Sequence, residues 1–237
     1  LWESVEYWAA EKPAAEALVY GDQRLTWADL AARVRALANA FDEMGIQPGD
    51  CIAQISMARP EFIITFMAAA RVGAMWTGLS PKFSHEEIHR ILSDCQPALL
   101  LIAAEHQGES MLDRALLLQA EFPWMLPPLI IGEADTGDLL SYDAVIHGAS
   151  SERVKETETP LRGDEPVLIM YTSGSSGTPK GVIHTHRTLL ENVACESECF
   201  GITGDSRFLL HFPINHVAAD VEFGLCSLYA GATLVML

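Results

Sequence analysis

Short apolar runs alternate with amphipathic stretches along most of this chain, and the alternation predicts strands that are each followed by a helix. The runs at 51–56, 73–79, 98–103 and 129–131 have the apolar character of buried strands. Between them, 60–72, 84–95 and 110–122 carry apolar residues at helical spacing, the second opened by a capping-box pair, Ser84 and Glu87. Such alternation predicts an α/β fold of mostly parallel sheets flanked by helices.

Helices and strands are also predicted at the two ends of the chain. Near the start we predict a helix at 2–10, a hairpin of 17–20 with 24–26, and a helix that a Thr26–Asp29 capping box begins and Gly45 ends. Near the end we predict a helix from Thr185 or Thr188, a strand at 207–212, a helix at 215–229 and a strand at 232–237.

The apolar pattern fades between 132 and 160, where Gly, Asp, Ser, Glu and Thr dominate. Only the island Ala144-Val145-Ile146 interrupts it. We interpret the segment as a surface excursion, with an approximate subdomain break within 132–163.

Composition limits the partners. The formal net charge is -17, from 15 basic and 32 acidic residues, which argues against nucleic acid or an anionic membrane surface. The longest apolar run, at 62–70, is shorter than the roughly 18 residues that a membrane-spanning helix needs. We therefore expect a water-soluble protein with no transmembrane segment.

The cysteines indicate a reducing compartment. Five of them, an odd number, occur in a chain too large to need disulfide staples, so we expect a cytoplasmic protein. Cys195 and Cys199, four residues apart on a predicted helix, would suit half of a metal site, but no second Cys/His pair stands at useful spacing. We favour small buried residues and predict no protein-built metal site.

The segment Tyr171–Gly181 has a composition unlike the rest of the chain. An apolar run at 167–171, typical of a buried strand, precedes a stretch that contains five hydroxyl residues, three glycines and Lys180. Glycine allows successive backbone N–H groups to point into one concavity, and hydroxyls and a lysine add further phosphate contacts. The segment predicts a cradle for a polyphosphate.

Two other interpretations apply to the same residues. Gly/Ser tracts are often flexible linkers, although linkers are rarely placed between two apolar strands. A Walker-type P-loop requires Gly-Lys followed by Ser or Thr at the start of a helix. Here the order is Pro179-Lys180-Gly181, and the apolar pair that follows resembles a strand.

Residues 171–182 resemble the signature loop of the acyl-adenylate-forming (AMP-binding) superfamily, with Ser176 where many members carry threonine. That family includes acyl- and aryl-CoA synthetases, adenylation domains of nonribosomal peptide synthetases and beetle luciferases. The resemblance implies that the ATP phosphates contact Thr172, Ser173, Gly174, Ser175, Ser176, Gly177, Thr178 and Lys180. Thr172 and Lys180 are also candidate catalytic residues, Thr172 because it would lie near a magnesium ion.

A second resemblance concerns Pro213-Ile214-Asn215-His216, which is similar to the "P-x-x-H" turn of the same family. It implies that His216, a further candidate catalytic residue, lies beside the acyl carboxylate and the α-phosphate; on spacing alone, His216 would be a cap of the next helix. Residues 217–220 lack the glycine that many members have there, so the shape of the acyl pocket is not predicted. His184, His186 and His211 alternate on strand-like stretches, and we expect them to pack or to fix loops.

The resemblance implies a ligase that joins a small carboxylic acid to ATP with Mg²⁺, releases pyrophosphate and transfers the acyl group to a thiol, often that of coenzyme A. The chain opens without methionine and stops in an apolar run at 233–237, so we expect 1–237 to be an incomplete N-terminal domain. The adenine loop, the ribose-binding aspartate and the C-terminal lid domain with its lysine would lie beyond Leu237, and the fragment alone would be inactive. Alternatives are an adenylation domain that loads a carrier-protein thiol and a non-catalytic nucleotide-binding or interaction fragment.

Overall fold

A computed structural model describes residues 1–137, 139–150, 163–172 and 179–237. The helices are α1 Trp2–Glu11, α2 Trp27–Glu43, α3 Pro60–Val72, α4 His85–Cys95, α5 Leu112–Glu121, α6 Tyr142–Gly148, α7 His186–Cys199 and α8 Cys226–Ala230. The strands are β1 Glu16–Tyr20, β2 Gln23–Thr26, β3 Cys51–Ile55, β4 Met75–Leu79, β5 Leu99–Ala103, β6 Glu105–His106, β7 Glu109–Ser110, β8 Leu129–Ile131, β9 Leu140–Ser141, β10 Pro166–Thr172, β11 Lys180–Thr185, β12 Arg207–Leu210 and β13 Thr233–Met236. A π-helical segment, Ala218–Leu225, precedes α8.

The largest sheet has seven strands in the order β11-β10-β4-β3-β5-β8-β9. All neighbours in it are parallel except β10 and β11, which form an antiparallel hairpin. Parallel strands align their carboxyl ends along one edge of the sheet, and ligands of open α/β sheets bind outside that edge.

Alternating residues of the central strands enter two separate cores, one on each face of the seven-stranded sheet. On β5, Leu99 and Leu101 join the core formed with α2 and α3, whereas Leu100 and Ile102 join the core formed with α4 and α5. Because successive strand side chains point to opposite faces, a strand covered by helices on both sides is apolar throughout. This explains the continuous apolar runs of the sequence and confirms the predicted fold class.

A second sheet of four strands, in the order β12-β13-β1-β2, joins the two ends of the described chain. The last three residues of β1 lie beside the last strand, β13, with Leu18 opposite Leu234 in parallel register. Within this sheet, β1 and β2, the predicted hairpin, are antiparallel, and the other neighbours are parallel.

The structure corrects two predictions. The segment after residue 132 is not only a surface excursion, because β9 extends the large sheet and α6 packs on α2 with Tyr142 buried. The predicted helix at 215–229 is instead a turn at 213–216, then the π-helical segment and α8, which Gly231 ends in left-handed conformation. Residues 151–162 lie outside the described part, and the proposed boundary within 132–163 stays a prediction.

Among the described residues, no helix combines the length and apolarity needed to cross a bilayer.

Candidate active site at the carboxyl edge of the large sheet

The hairpin of β10 and β11 brackets the predicted cradle. Thr172 lies opposite Lys180 in the ladder, and the Thr172 hydroxyl donates to the Lys180 carbonyl at 3.5 Å. Thr172 and Lys180, which flank 173–179 in the sequence, are therefore paired at the carboxyl end of β10. Ser173, Gly174, Ser175, Ser176, Gly177 and Thr178 lie outside the described residues, so their phosphate contacts stay predictions.

The Lys180 side chain is exposed, and its ammonium forms no hydrogen bond or ion pair with any residue that the structure describes. Lys180 thus presents a positive charge at the mouth of the hairpin, where an anion can bind.

Tyr171 anchors the end of β10 to a neighbouring helix. Its hydroxyl donates to Oδ2 of Asp94, near the end of α4, at 2.6 Å. Burial, together with this hydrogen bond to the carboxylate, raises the pKa of Tyr171 well above its usual range. The phenol stays protonated, and the strand that leads into the cradle is held against α4.

The turn at 213–216 is closed by a hydrogen bond from the His216 backbone N–H to the Pro213 carbonyl at 3.1 Å. The His216 ring is fixed in a second way, since the Ala218 backbone N–H donates to its Nδ1 at 3.2 Å. A backbone N–H can only donate, so Nδ1 is the acceptor and the neutral ring carries its proton on Nε2. His216 is exposed and can donate from Nε2 to an oxyanion.

Gly78, near the carboxyl end of β4, packs directly against this turn. A Cβ at Gly78 would lie 2.7 Å from the Ile214 carbonyl oxygen and 2.5 Å from the Trp76 ring, so only glycine fits without displacement. Strand β4 is also the parallel neighbour of β10. The turn with His216 and the hairpin with Thr172 and Lys180 therefore stand at adjacent strand ends of one sheet edge.

Asp220 lies one turn beyond His216 on the π-helical segment and is fully buried. Neither carboxylate oxygen has a hydrogen-bond partner among the described residues. Burial raises the pKa of Asp220 well above its usual value, because desolvation disfavours the charged form. A protonated carboxyl thus stands next to the turn that carries His216.

This carboxyl gives a pH-dependent prediction. The folded pKa of Asp220 is above its unfolded value, so the unfolded chain releases the proton first and stability falls as the pH rises above about 4. An asparagine side chain does not titrate. We expect Asp220→Asn to raise the free energy of unfolding by about 1–3 kcal/mol at neutral pH and by less in acid. Thermal unfolding of the full-length protein at about pH 5 and about pH 8 measures this.

The control for that comparison is Asp205→Asn, at an exposed loop position, which should leave the pH dependence unchanged. An equal stability gain of Asp220→Asn at both pH values would contradict a protonated Asp220.

The other histidines and the cysteine pair are placed as follows. His186 is the first residue of α7 rather than part of a strand; it is buried, and burial lowers its pKa to about 4. His211 is exposed, with its ring 4.2 Å from that of Phe212. Cys195 and Cys199 are exposed rather than buried, with their sulfurs 4.0 Å apart. In the part of the chain that the structure describes, no group of three or more His, Cys, Asp or Glu could hold a metal ion.

Sequence reasoning missed Gly78 and Asp220. Gly78 sits inside an apolar run, and its role depends on a turn far away along the chain. Asp220 did have a signal, because it is an acidic residue between Ala219 and Val221 in a mostly apolar predicted helix. We noted only that residues 217–220 lack a glycine.

A family model described as AMP-binding enzyme matches residues 5–237. Over 236 residues the chain is 27% identical to an indoleacetate–CoA ligase of Aromatoleum aromaticum, covering 100% of this chain and 44% of that protein. Over 234 residues it is 30% identical to one of the linear gramicidin synthase proteins of Brevibacillus parabrevis, covering 99% of this chain and 3% of that protein.

The fold is similar to a crystal structure of the anthranilate CoA ligase AuaEII in complex with anthranoyl-AMP. The TM-score is 0.90 at 19% identity, over 100% of this chain and 44% of that one. At that identity the likeness establishes the fold alone. The chain spans 44% of the length of each of these two CoA ligases.

Proposed function

This chain belongs to the AMP-binding enzyme family, and on that premise we propose that it is the N-terminal part of an ATP-dependent acyl- or aryl-CoA synthetase. The observation that supports this most strongly is that Lys180 and His216 lie at the ends of adjacent strands. Lys180 has no partner among the described residues, and the His216 ring is held in one orientation by the Ala218 backbone. Residues 1–237 would be an incomplete N-terminal domain, with a subdomain break within 132–163 and a separate C-terminal lid.

The hairpin would bind the phosphates of ATP. Lys180 would neutralise charge on the departing pyrophosphate, while the hydroxyl of Thr172 and the amides and hydroxyls of 173–178 donate or accept hydrogen bonds around it. Donors already in place need no reorganisation as the charge moves, which is why such sites accelerate transfer. Magnesium, when bound with the nucleotide, would supply further neutralisation; the exposed neutral oxygen of Thr172 fits such an ion.

His216 would act on the other reactant. Its proton on Nε2 suits a hydrogen bond to the carboxylate or to an α-phosphate oxygen, and the Ala218 contact keeps the ring in that orientation. The acid would attack the α-phosphorus, pyrophosphate would leave, and the acyl-adenylate would pass its acyl group to a thiol.

The test uses the full-length protein, because relatives are more than twice as long as this chain. Incubated with ATP, Mg²⁺ and a panel of aryl and alkyl carboxylic acids, it should exchange labelled pyrophosphate into ATP only when its acid is present. Coenzyme A should then yield an acyl-CoA. Exchange that needs no acid, or no exchange with any acid, would contradict the proposal.

The second candidate is an adenylation domain that loads a carrier-protein thiol, and the 30% identity to the linear gramicidin synthase protein favours it. Acyl transfer to a phosphopantetheinyl carrier domain but not to coenzyme A would select it. Under either candidate the partners are a small carboxylic acid, ATP and a thiol, and the chain alone would not complete the reaction.

A further inference from the structure

A cavity of about 540 Å³ lies between the end of α7, the loop that follows it, β12 and the π-helical segment. The volume is within the range of small-molecule sites, roughly 300–1,000 Å³. Neither Lys180 nor His216 lines it.

Three phenylalanines line the cavity: Phe208 and Phe223 are partly buried, whereas Phe200 is 78% exposed. Phe208 and Phe223 meet edge to face, with ring centroids 5.9 Å apart and planes at 87°. The face of an aromatic ring is its electronegative side, so a cation that contacts either ring on its face is attracted to it.

Two carboxylates complete the lining. Glu196 is held in place, since Asn192 donates to its Oε1 at 3.0 Å and the Cys226 thiol donates to its Oε2 at 3.1 Å. Burial raises the pKa of Cys226, and so does its hydrogen bond to Glu196, which keeps the thiol protonated as a donor. Glu222 makes no hydrogen bond or ion pair with any residue in the described ranges.

No lysine, arginine or histidine is among the residues that line this space, all of which belong to the described part of the chain. Aromatic rings and carboxylates without a basic residue favour an ammonium group with apolar substituents, since cation–π contact and charge attraction then act together. We propose that this cavity binds an organic ammonium ion.

The cavity is linked to the turn at 213–216 by neighbouring rings. The His216 ring lies 6.0 Å from that of Phe212, and Phe212 lies 5.5 Å from Phe223, centroid to centroid. The ammonium therefore has two possible sources: a free amine bound independently of the reaction, or the far end of a carboxylic acid that is activated beside His216. The chemistry recognised is the same in both cases, and the second source rests on the proposed function.

The test compares a cation with its neutral isostere on the full-length protein. Benzyltrimethylammonium is titrated by calorimetry, and neopentylbenzene, which has carbon in place of nitrogen, is the reference. We expect the cation to bind at least about 5-fold more tightly, and Glu222→Gln to weaken its binding by about 3- to 10-fold. Phe208→Leu, which keeps the cavity apolar, should remove most of the preference for the cation.

The control variant is Glu198→Gln, at an exposed position of α7 that does not line the cavity, and it should leave the affinity unchanged. Equal affinity for cation and isostere would overturn the proposal, as would an absence of binding by the full-length protein. These binding measurements need neither ATP nor turnover, so their failure is distinct from failure of the proposed ligase activity.

A second arm identifies the source. The para-carboxylate derivative of the probe is titrated with and without ATP. Tighter binding in the presence of ATP would assign the cavity to the far end of the acid substrate, because only a carboxylate close to the nucleotide senses it. An affinity that ATP does not change, with the cation preference intact, would assign the cavity to a free amine.

Discussion

Replacing Lys180 by alanine in the full-length protein is expected to lower the rate of ATP–pyrophosphate exchange by about 10²–10³. Lys180 stands opposite Thr172 at the mouth of the hairpin, and its ammonium has no partner among the described residues. In the proposed mechanism it meets the charge that develops on the departing pyrophosphate. Stability should change little, since the side chain is exposed and supports no contact within the described fold.

The matched control is Lys82→Ala. Lys82 is exposed and follows β4, so it also carries positive charge near the carboxyl edge of the large sheet. A loss confined to Lys180→Ala would show that its position in the hairpin matters rather than the overall charge of the region. Exchange undiminished by Lys180→Ala, measured at saturating ATP and acid, would refute the phosphate assignment.

Gly78→Ala is expected to have the second largest effect, although Gly78 itself contacts no substrate in the proposed mechanism. The new Cβ would press on the Ile214 carbonyl and the Trp76 ring. Trp76 is packed against Phe66 and Phe62 and cannot move freely, so the turn has to shift and carry His216 with it. A displacement of about 1 Å at a catalytic group can cost about 10²-fold in rate.

The same substitution should lower the free energy of unfolding by about 1–3 kcal/mol, as overpacking of a core usually does. Gly148→Ala is the control, because a Cβ there meets no heavy atom within 4 Å and the residue lies at the end of α6. Pyrophosphate exchange and thermal unfolding together separate the two effects. A Gly78→Ala protein with normal exchange would show that the packing of Gly78 against the turn does not control the position of His216.

Local signals in the sequence predicted much of the fold correctly. Both capping boxes, Thr26 with Asp29 and Ser84 with Glu87, are present with reciprocal hydrogen bonds. The helix predicted at 60–72 has those bounds in the structure. These features depend on residues a few positions apart, where backbone preference and hydrogen bonding leave little choice.

The parts that the sequence did not predict depend on contacts between distant segments or on unusual periods. A two-residue strand such as β9 is too short to show alternation, and it exists because β8 offers a free edge. The π-helical segment has a different period from an α-helix, but it is only eight residues long. Over so few residues the apolar pattern does not distinguish the two, so we predicted an ordinary helix. For the site, the motifs indicated Thr172, Lys180 and His216, but not the close packing of Gly78 against the turn.

The register of β1 has a consequence for how the chain folds during synthesis. Leu18 leaves the ribosome early, yet its parallel partner Leu234 is among the last residues of this sequence. Until then β1 has only the β2 hairpin beside it, and isolated two-stranded hairpins are marginal in water. The large sheet can assemble first, whereas the four-stranded sheet must wait for β13. Translational pausing or truncation before that strand would leave the β1–β2 edge open to pairing with other chains.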